Sequence, residues 1–178
     1  MDAPGMAEQG ALHLNYHLKM MANLAALVSH YDNNGPAVLK NATLEAMLIH
    51  ARLLIEFIAG RPKSNPTYRH RNSQDLQPRD FGLATWDAVP NLNLDRYLYL
   101  ADKYVAHLSK ERFEAAPSGR AWAMGRMVNA ILSNFATFAF ELRNAGVVGA
   151  AETVEIGITE ARALLTRPVM DWPPDLSN

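Results

Sequence analysis

The sequence predicts an all-α protein, a bundle of four to five antiparallel helices with one long irregular loop. Apolar residues recur in several long stretches at the i, i+3/i+4, i+7 spacing of a helix with one buried face. No run of alternating apolar and polar residues is bounded by hairpin turns, so no strand is predicted. With 178 residues, 49% of them apolar, the chain is expected to form a single domain, residues 1–178, around a sizeable core.

Charge and cysteine content narrow the possible functions. The formal net charge is −1, which gives no electrostatic reason for general binding to nucleic acid or to a membrane surface. Cysteine is absent, which excludes disulfides and thiol catalysis and fits a reducing compartment. The sequence shows neither a secretory signal nor an uncharged apolar stretch long enough to cross a membrane. We therefore expect a cytoplasmic protein with no membrane partner.

The first two helices are predicted from about Ala7 to Tyr31 and from about Pro36 to Ala59. The residues between them include Asn, Gly and Pro, which suit a left-handed helix cap and the first turn of the next helix. The second helix is apolar on more than one side and is expected to lie centrally. Its predicted core residues are Leu44, Met47, Leu48, Leu54, Ile55, Phe57 and Ile58. For the first helix, large apolar residues predict the buried face: Leu12, Tyr16, Leu18 or Met20, Leu24, Leu27 and Val28.

Residues 61–92 form the predicted long loop, because four prolines interrupt them. Between positions 61 and 80, five basic residues stand against two acidic ones. A loop of this length in a compact domain is usually functional or mobile. We expect a short helical turn between Asp80 and Ala88, and we expect Phe81, Leu83 and Trp86 to hold the loop against the bundle.

Three more helices are predicted after the loop. The third, about Asn91 to Ala116, is the one around which the rest of the chain is expected to pack. The fourth, about Gly119 to Asn144, is apolar over more than half of its circumference and is expected to be buried. A fifth follows from about Ala150 to Leu165, and the tail, residues 169–178, is predicted to be irregular. The apolar stripe of the third helix consists of Leu94, Leu98, Ala101, Val105 and Leu108.

The third helix also carries the main candidates for catalysis, Asp102, Lys103 and His107. Histidine can act as a general base near neutral pH, and a neighbouring cation can hold a phosphate and stabilise developing negative charge. Arg112, about half a turn round the helix from Lys103, is a candidate binding residue if the bundle opens there. The alternative is that these polar groups form an ordinary solvated helix face.

The second helix supplies two further candidate binding residues, His50 and Arg52. Burying either side chain without a partner would cost roughly 1–3 kcal/mol, so each is expected to have one. Glu56 is available to Arg52 one turn further along the helix. The alternative to a binding role is a structural ion pair or hydrogen bond, including a buried network with Asp102 and His107.

His13 and His17 have the HxxxH spacing that places two imidazoles on one helix face, as in zinc sites. A third ligand would have to come from His30, His50 or His107. The intervening residues lack the Glu of zinc enzymes, and the alternative is a pair of partly exposed histidines. We therefore predict no metal and no cofactor.

The stretch from Asp102 to His107, DKYVAH, resembles the signature of the HEPN superfamily of helical domains. That signature runs from an Arg through a polar residue to a His four to six residues further on. The order of elements over about residues 10–145 is also similar: a helical hairpin, a long connection, the motif helix and an apolar helix. On this resemblance His107 would be the catalytic His and Asp102 the intervening polar residue, whereas Ala101 stands where the motif has Arg.

The resemblance implies a homodimer in which two motif helices face one cleft. Many family members are metal-independent ribonucleases of toxin–antitoxin or phage-defence systems, and others are inactive or bind nucleotides. Because the motif Arg is missing, we expect a non-catalytic interaction or ligand-binding domain of such a system, with RNA or a protein as partner. The alternative is a ribonuclease with His107 as general base and Lys103, Arg52 or Arg112 as phosphate anchors.

Overall fold

The computed structural model describes residues 3–34, 36–59, 75–86, 94–105 and 124–166. Within these ranges the chain forms helices and no strand, which confirms the all-α prediction. The described ranges contain five α-helices: α1 (Ala3–Asn34), α2 (Ala37–Ala59), α3 (Leu94–Val105), α4 (Met124–Asn144) and α5 (Val148–Thr166). The start and the second half of the third predicted helix, and the tail, lie outside the described residues.

Helices α1 and α2 form a hairpin whose connection contains Pro36. The carbonyl oxygen of Pro36 accepts hydrogen bonds from the backbone N–H groups of Leu39 and Lys40, at 3.0 and 3.2 Å, so the proline lies at the start of α2 as predicted. The predicted core of α2 is also confirmed. Six of its seven residues are buried, and Leu44 packs against the core from its edge. The six are Met47, Leu48, Leu54, Ile55, Phe57 and Ile58.

The predicted buried face of α1 was wrong at its N-terminal half. Leu12 and Tyr16 are 55% and 51% exposed. In this half of α1 the residues that face the core include alanines, whose short side chains let the helix approach its neighbours closely. The buried hydrophobic residues of α1 are Ala7, Ala11, Leu14, Leu18, Met21, Ala22, Ala25 and Val28.

Helices α4 and α5 form a second hairpin, joined by a tight turn at Gly146. This glycine has a φ of 81°, in the left-handed region. Its N–H donates to the carbonyl of Arg143 and the N–H of Val147 donates to the carbonyl of Leu142, at 3.0 and 2.9 Å. This pair of bonds is the Schellman motif, which satisfies the last carbonyls of α4 and turns the chain back into α5.

Residues 75–86 pack on the bundle through aromatic side chains. A 3₁₀ turn at Pro78–Phe81 stands near the predicted helical turn, and Phe81 is buried as expected. Its ring lies 5.5 Å from those of Phe57 on α2 and Phe138 on α4. The indole N–H of Trp86 donates to the carbonyl of Ile58 at 2.8 Å. The prediction that Phe81, Leu83 and Trp86 hold this segment to the bundle is confirmed.

The two hairpins are joined mainly by contacts between α1 and α5, which run in the same direction. Asn15 donates from its side chain to the carbonyl of Thr153 at 3.2 Å, and one turn further along Lys19 pairs with Glu160 at 3.0 Å. The described part of α3 packs on α2 and α4. Among the described residues, the most extensive contacts in the bundle are those of α1 with α5 and with α2, whereas the sequence assigned the central position to the third helix.

Candidate functional site

The six predicted site residues are only partly within the described ranges. His50 and Arg52 lie in α2, and Asp102 and Lys103 lie in the last turn of α3. His107 and Arg112 lie outside the described residues, so their predicted roles stay predictions. The position where the HEPN motif has Arg, Ala101, is fully buried beside Leu98.

Arg52 has the partner that the sequence predicted. Its Nε lies 3.0 Å from Oε1 of Glu56, one turn further along α2. Both side chains are largely covered, with exposed fractions of 29% and 18%. This contact supports the structural interpretation of Arg52, as an ion pair within one helix.

His50 faces a different partner, His17 of α1. Their Nδ1 atoms lie 2.7 Å apart and their ring centroids 5.0 Å apart. A hydrogen bond at this distance requires one imidazole to donate its Nδ1–H and the other to accept. Tyr16 packs edge-on against both rings, with centroids at 5.2 and 5.8 Å. The three rings therefore join α1 to α2 near the protein surface.

The electrostatics of this pair favour the neutral form. Burial lowers the pKa of His17 below its usual value of 6.5, and the nearby charges of His50 and His13 lower it further. Burial also lowers the pKa of His50. Because two imidazolium ions would place two N–H donors against each other, a singly protonated or neutral pair is the state that fits this contact.

His13 and His17 were the predicted starting point of a metal site, with a third histidine as the missing ligand. In the ranges that the structure describes, no group of three or more His, Asp or Glu side chains could hold a metal ion. The sequence offered His30, His50 and His107 as possible neighbours of the HxxxH pair. The structure brings His50 to His17 as a hydrogen-bond partner.

Four of the large apolar side chains that α1 and α2 expose lie in two pairs, and one of the four, Tyr16, contacts the histidine pair. Leu12 and Tyr16 lie one turn apart on α1, and Ile49 and Leu53, exposed by 46% and 45%, lie one turn apart on α2. We call these four residues, together with His17 and His50, the hairpin face. Sequence reasoning missed it, because it placed Leu12 and Tyr16 in the core.

A cleft of about 390 Å³ lies at another place, where α1, the 3₁₀ turn and the α4–α5 turn meet. It contains two carboxylates. Asp80 accepts a hydrogen bond from the backbone N–H of Gln77 at 2.8 Å, and Glu8 lies beside Gly149 in the first turn of α5. A carboxylate is stabilised at a helix N-terminus, so both groups serve the local fold. The remaining lining residues are Ala7, Phe81, Gly82, Gly146, Val147, Val148 and Ala150.

Comparison of the chain with family models, with curated proteins and with solved structures finds no match. Among the described helices, none combines the length and the apolar character needed to cross a bilayer.

Proposed function

We propose that the protein is a non-catalytic helical interaction domain, related in architecture to HEPN domains, that binds another protein chain through the hairpin face. The observation that carries the proposal is this group of exposed apolar side chains on two neighbouring helices. Single exposed apolar residues are common on protein surfaces, whereas here each of two neighbouring helices exposes a pair of them one turn apart. Tyrosine is enriched at protein interfaces, and the leucine and isoleucine side chains add apolar area beside it.

The packing of Ala101 supports a role without catalysis. An Arg at this position would have to enter the core beside Leu98, where a charged side chain is costly. The described partners of the candidate polar residues also support it. Arg52 pairs with Glu56 and His50 pairs with His17, which are contacts that stabilise helices.

A photo-crosslinking experiment tests the proposal in the cells that produce the protein. The photoreactive residue p-benzoylphenylalanine is placed at Tyr16 in the hairpin face or, as a control, at Phe140 on α4, which is 59% exposed. We expect crosslinked protein adducts from position 16 and few from position 140. Equal yields at the two positions, or no adduct at either, would contradict the proposal.

The alternative is metal-independent RNA cleavage with His107 as the general base. It is favoured by the helical backbone of Asp102 and Lys103, which places the start of the DKYVAH stretch on a helix as the family resemblance requires. The test is incubation of the purified protein with total RNA and tRNA in EDTA, beside a folded His107→Ala control. Cleavage by the wild type and not by the variant would show that the protein is a ribonuclease, and the proposed non-catalytic function would be wrong.

A further inference from the structure

We propose that the pair of His17 and His50 is a pH-sensitive switch for the hairpin face: in acid the two rings separate, Tyr16 loses its support, and the face releases its partner. This inference rests on the proposed function, because it concerns the regulation of the same site. Histidine suits such a role, since its charge ordinarily changes between about pH 5 and 8.

The contact between the two rings accepts one additional proton and cannot accept two. In the neutral pair, one Nδ1–H donates to the bare Nδ1 of the other ring, 2.7 Å away. One added proton goes to the free Nε2 of the donor ring and leaves this hydrogen bond in place. A second proton has only the accepting Nδ1 left, so two N–H groups and two positive charges would face each other. The rings must then move apart.

Tyr16 is the residue of the hairpin face that connects this change to binding. Its ring packs edge-on against His17 and His50, with centroids 5.2 and 5.8 Å away, and half of its side chain is exposed to solvent. While both histidines hold it, the tyrosine loses little conformational freedom on binding, and once they separate it loses more. Acid therefore weakens the hairpin face at an aromatic residue, the type enriched at interfaces.

The carboxylates of α2 are not placed to relieve repulsion within the pair. Glu45 and Glu56 lie about 140° and 120° round the helix from His50, at about 100° per residue. The charges that act on His17 are those of His50 and His13, and both lower its pKa. The surroundings of the pair thus oppose the second proton, so its uptake requires the rings to separate.

The other charged groups near α1 and α2 are engaged elsewhere or exposed. Lys19 pairs with Glu160 of α5, Arg52 lies about half a turn round α2 from the pair, and Asp95 and Arg96 of α3 are exposed. Within the described ranges, no side chain of α3, α4 or α5 is among the causes that lower either pKa. Between about pH 5.5 and 7.5 acid acts chiefly on imidazoles, because carboxylates, lysines and arginines ordinarily titrate outside this range.

Binding should therefore weaken as the pH falls. Burial lowers the pKa of both histidines below the usual 6.5, so the neutral pair predominates at pH 7.5. Where binding requires loss of the second proton, the dissociation constant rises by up to about tenfold for each pH unit below the pKa of that step. The hairpin face is thus competent to bind at pH 7.5 and loses affinity in acid.

Fluorine NMR of the purified full-length protein tests the movement of the ring at position 16. p-Fluorophenylalanine placed there keeps the aromatic ring and adds no titrating group. We expect its resonance to move toward the chemical shift of a solvent-exposed ring as the pH falls from 7.5 to 5, over the range in which circular dichroism shows unchanged helix content. His50→Asn should suppress this change, because an amide oxygen in the place of Nδ1 accepts from His17 in either charge state. His13→Gln leaves the pair intact and should respond like the wild type.

Photo-crosslinking at two pH values tests the effect on binding. p-Benzoylphenylalanine at Leu12 leaves Tyr16 in place, and Phe140 is again the control position. In a lysate of the cells that produce the protein, adducts specific to position 12 should form at pH 7.5, and their yield should fall severalfold at pH 5.5. The same yield in His50→Asn should change little between the two pH values.

The outcomes separate failure of the switch from failure of the proposed function. A resonance at position 16 that does not respond to pH, or that responds equally in His50→Asn, would overturn the switch. Adducts of equal yield at both pH values would overturn it too and leave the interaction domain standing. The absence of any adduct specific to the hairpin face at pH 7.5 would contradict the proposed function, and the switch with it.

Discussion

The Nδ1 atoms of His17 on α1 and His50 on α2 lie 2.7 Å apart, so these two histidines share one hydrogen bond across the first hairpin. The contact holds only while at least one of the facing nitrogens can accept a proton. His13 adds a third imidazole nearby, which lowers the pKa of His17, and Tyr16 packs on both rings of the pair. Arg52, about half a turn round α2 from His50, is paired with Glu56.

We predict that the free energy of unfolding falls as the pH decreases below about 6.5. The pKa values of His17 and His50 are lowered in the folded protein, so the unfolded chain binds protons more readily. Stability is therefore full above the ordinary value of 6.5, declines as the pH falls through the lowered folded-state values, and levels off below them. Urea unfolding between pH 7.5 and 5.5 measures this, at one protein concentration because association adds to apparent stability.

His50→Gln removes one of the two interacting imidazoles and should reduce the pH dependence over this range. His13→Gln is the control, because it removes an exposed neighbouring imidazole and leaves the pair intact. The pH dependence should fall more in His50→Gln than in His13→Gln. An undiminished pH dependence in His50→Gln would show that other groups cause the effect.

A second prediction concerns two phenylalanines of α4. Phe138 is fully buried and its ring lies 5.3 to 5.5 Å from those of Phe57, Phe81 and Trp86, whereas Phe140 is exposed. Phe138→Ala should cost about 3–5 kcal/mol, because it leaves a cavity and loosens residues 75–86. Phe140→Ala should change the free energy of unfolding by no more than about 0.5 kcal/mol. Chemical denaturation of both variants measures the difference, and similar losses in the two would contradict this assignment of the core.

The helices that the sequence predicted best are those with large apolar residues around much of their circumference. On α4, which was expected to be buried, seven large apolar residues within the described range are buried. The residues are Met127, Val128, Ile131, Leu132, Phe135, Phe138 and Leu142. Such a helix must be buried whichever neighbours it has, so the pattern alone is sufficient.

The buried side of α1 was harder to predict, because size and burial do not go together there. Ala11 and Ala22 are buried, whereas Leu12 and Tyr16 are exposed. A search for the largest apolar residues therefore selects the wrong side of the first half of this helix. Small buried residues become informative only when the partner helix is known.

The pairing of His17 with His50 could be predicted only in part from the sequence. Helical spacing shows on which face of its helix a residue lies. It does not show which residues of two packed helices lie opposite each other along the helix axes. For that reason three histidines were equally possible neighbours of His17. The antiparallel packing of α1 and α2 fixes which of their residues lie opposite each other, and it brings His50 to His17.

A third prediction tests the close contact between α1 and α5. A Cβ added at Gly157 would lie 3.0 Å from the Cα of Asn15, which is tighter than ordinary van der Waals contact and involves a backbone atom. Alanine favours a helix over glycine by about 1 kcal/mol, but the overlap at this site should outweigh that gain. Gly157→Ala should therefore destabilise the protein by roughly 1–3 kcal/mol.

Gly125→Ala on α4 is the matched control, because nothing lies within 4 Å of the added Cβ. It should stabilise the protein by up to about 1 kcal/mol through helix propensity alone. Thermal and urea unfolding of the two variants should thus give changes of opposite sign. Stabilisation by both substitutions would mean that α1 and α5 are farther apart at Asn15 than the structure places them.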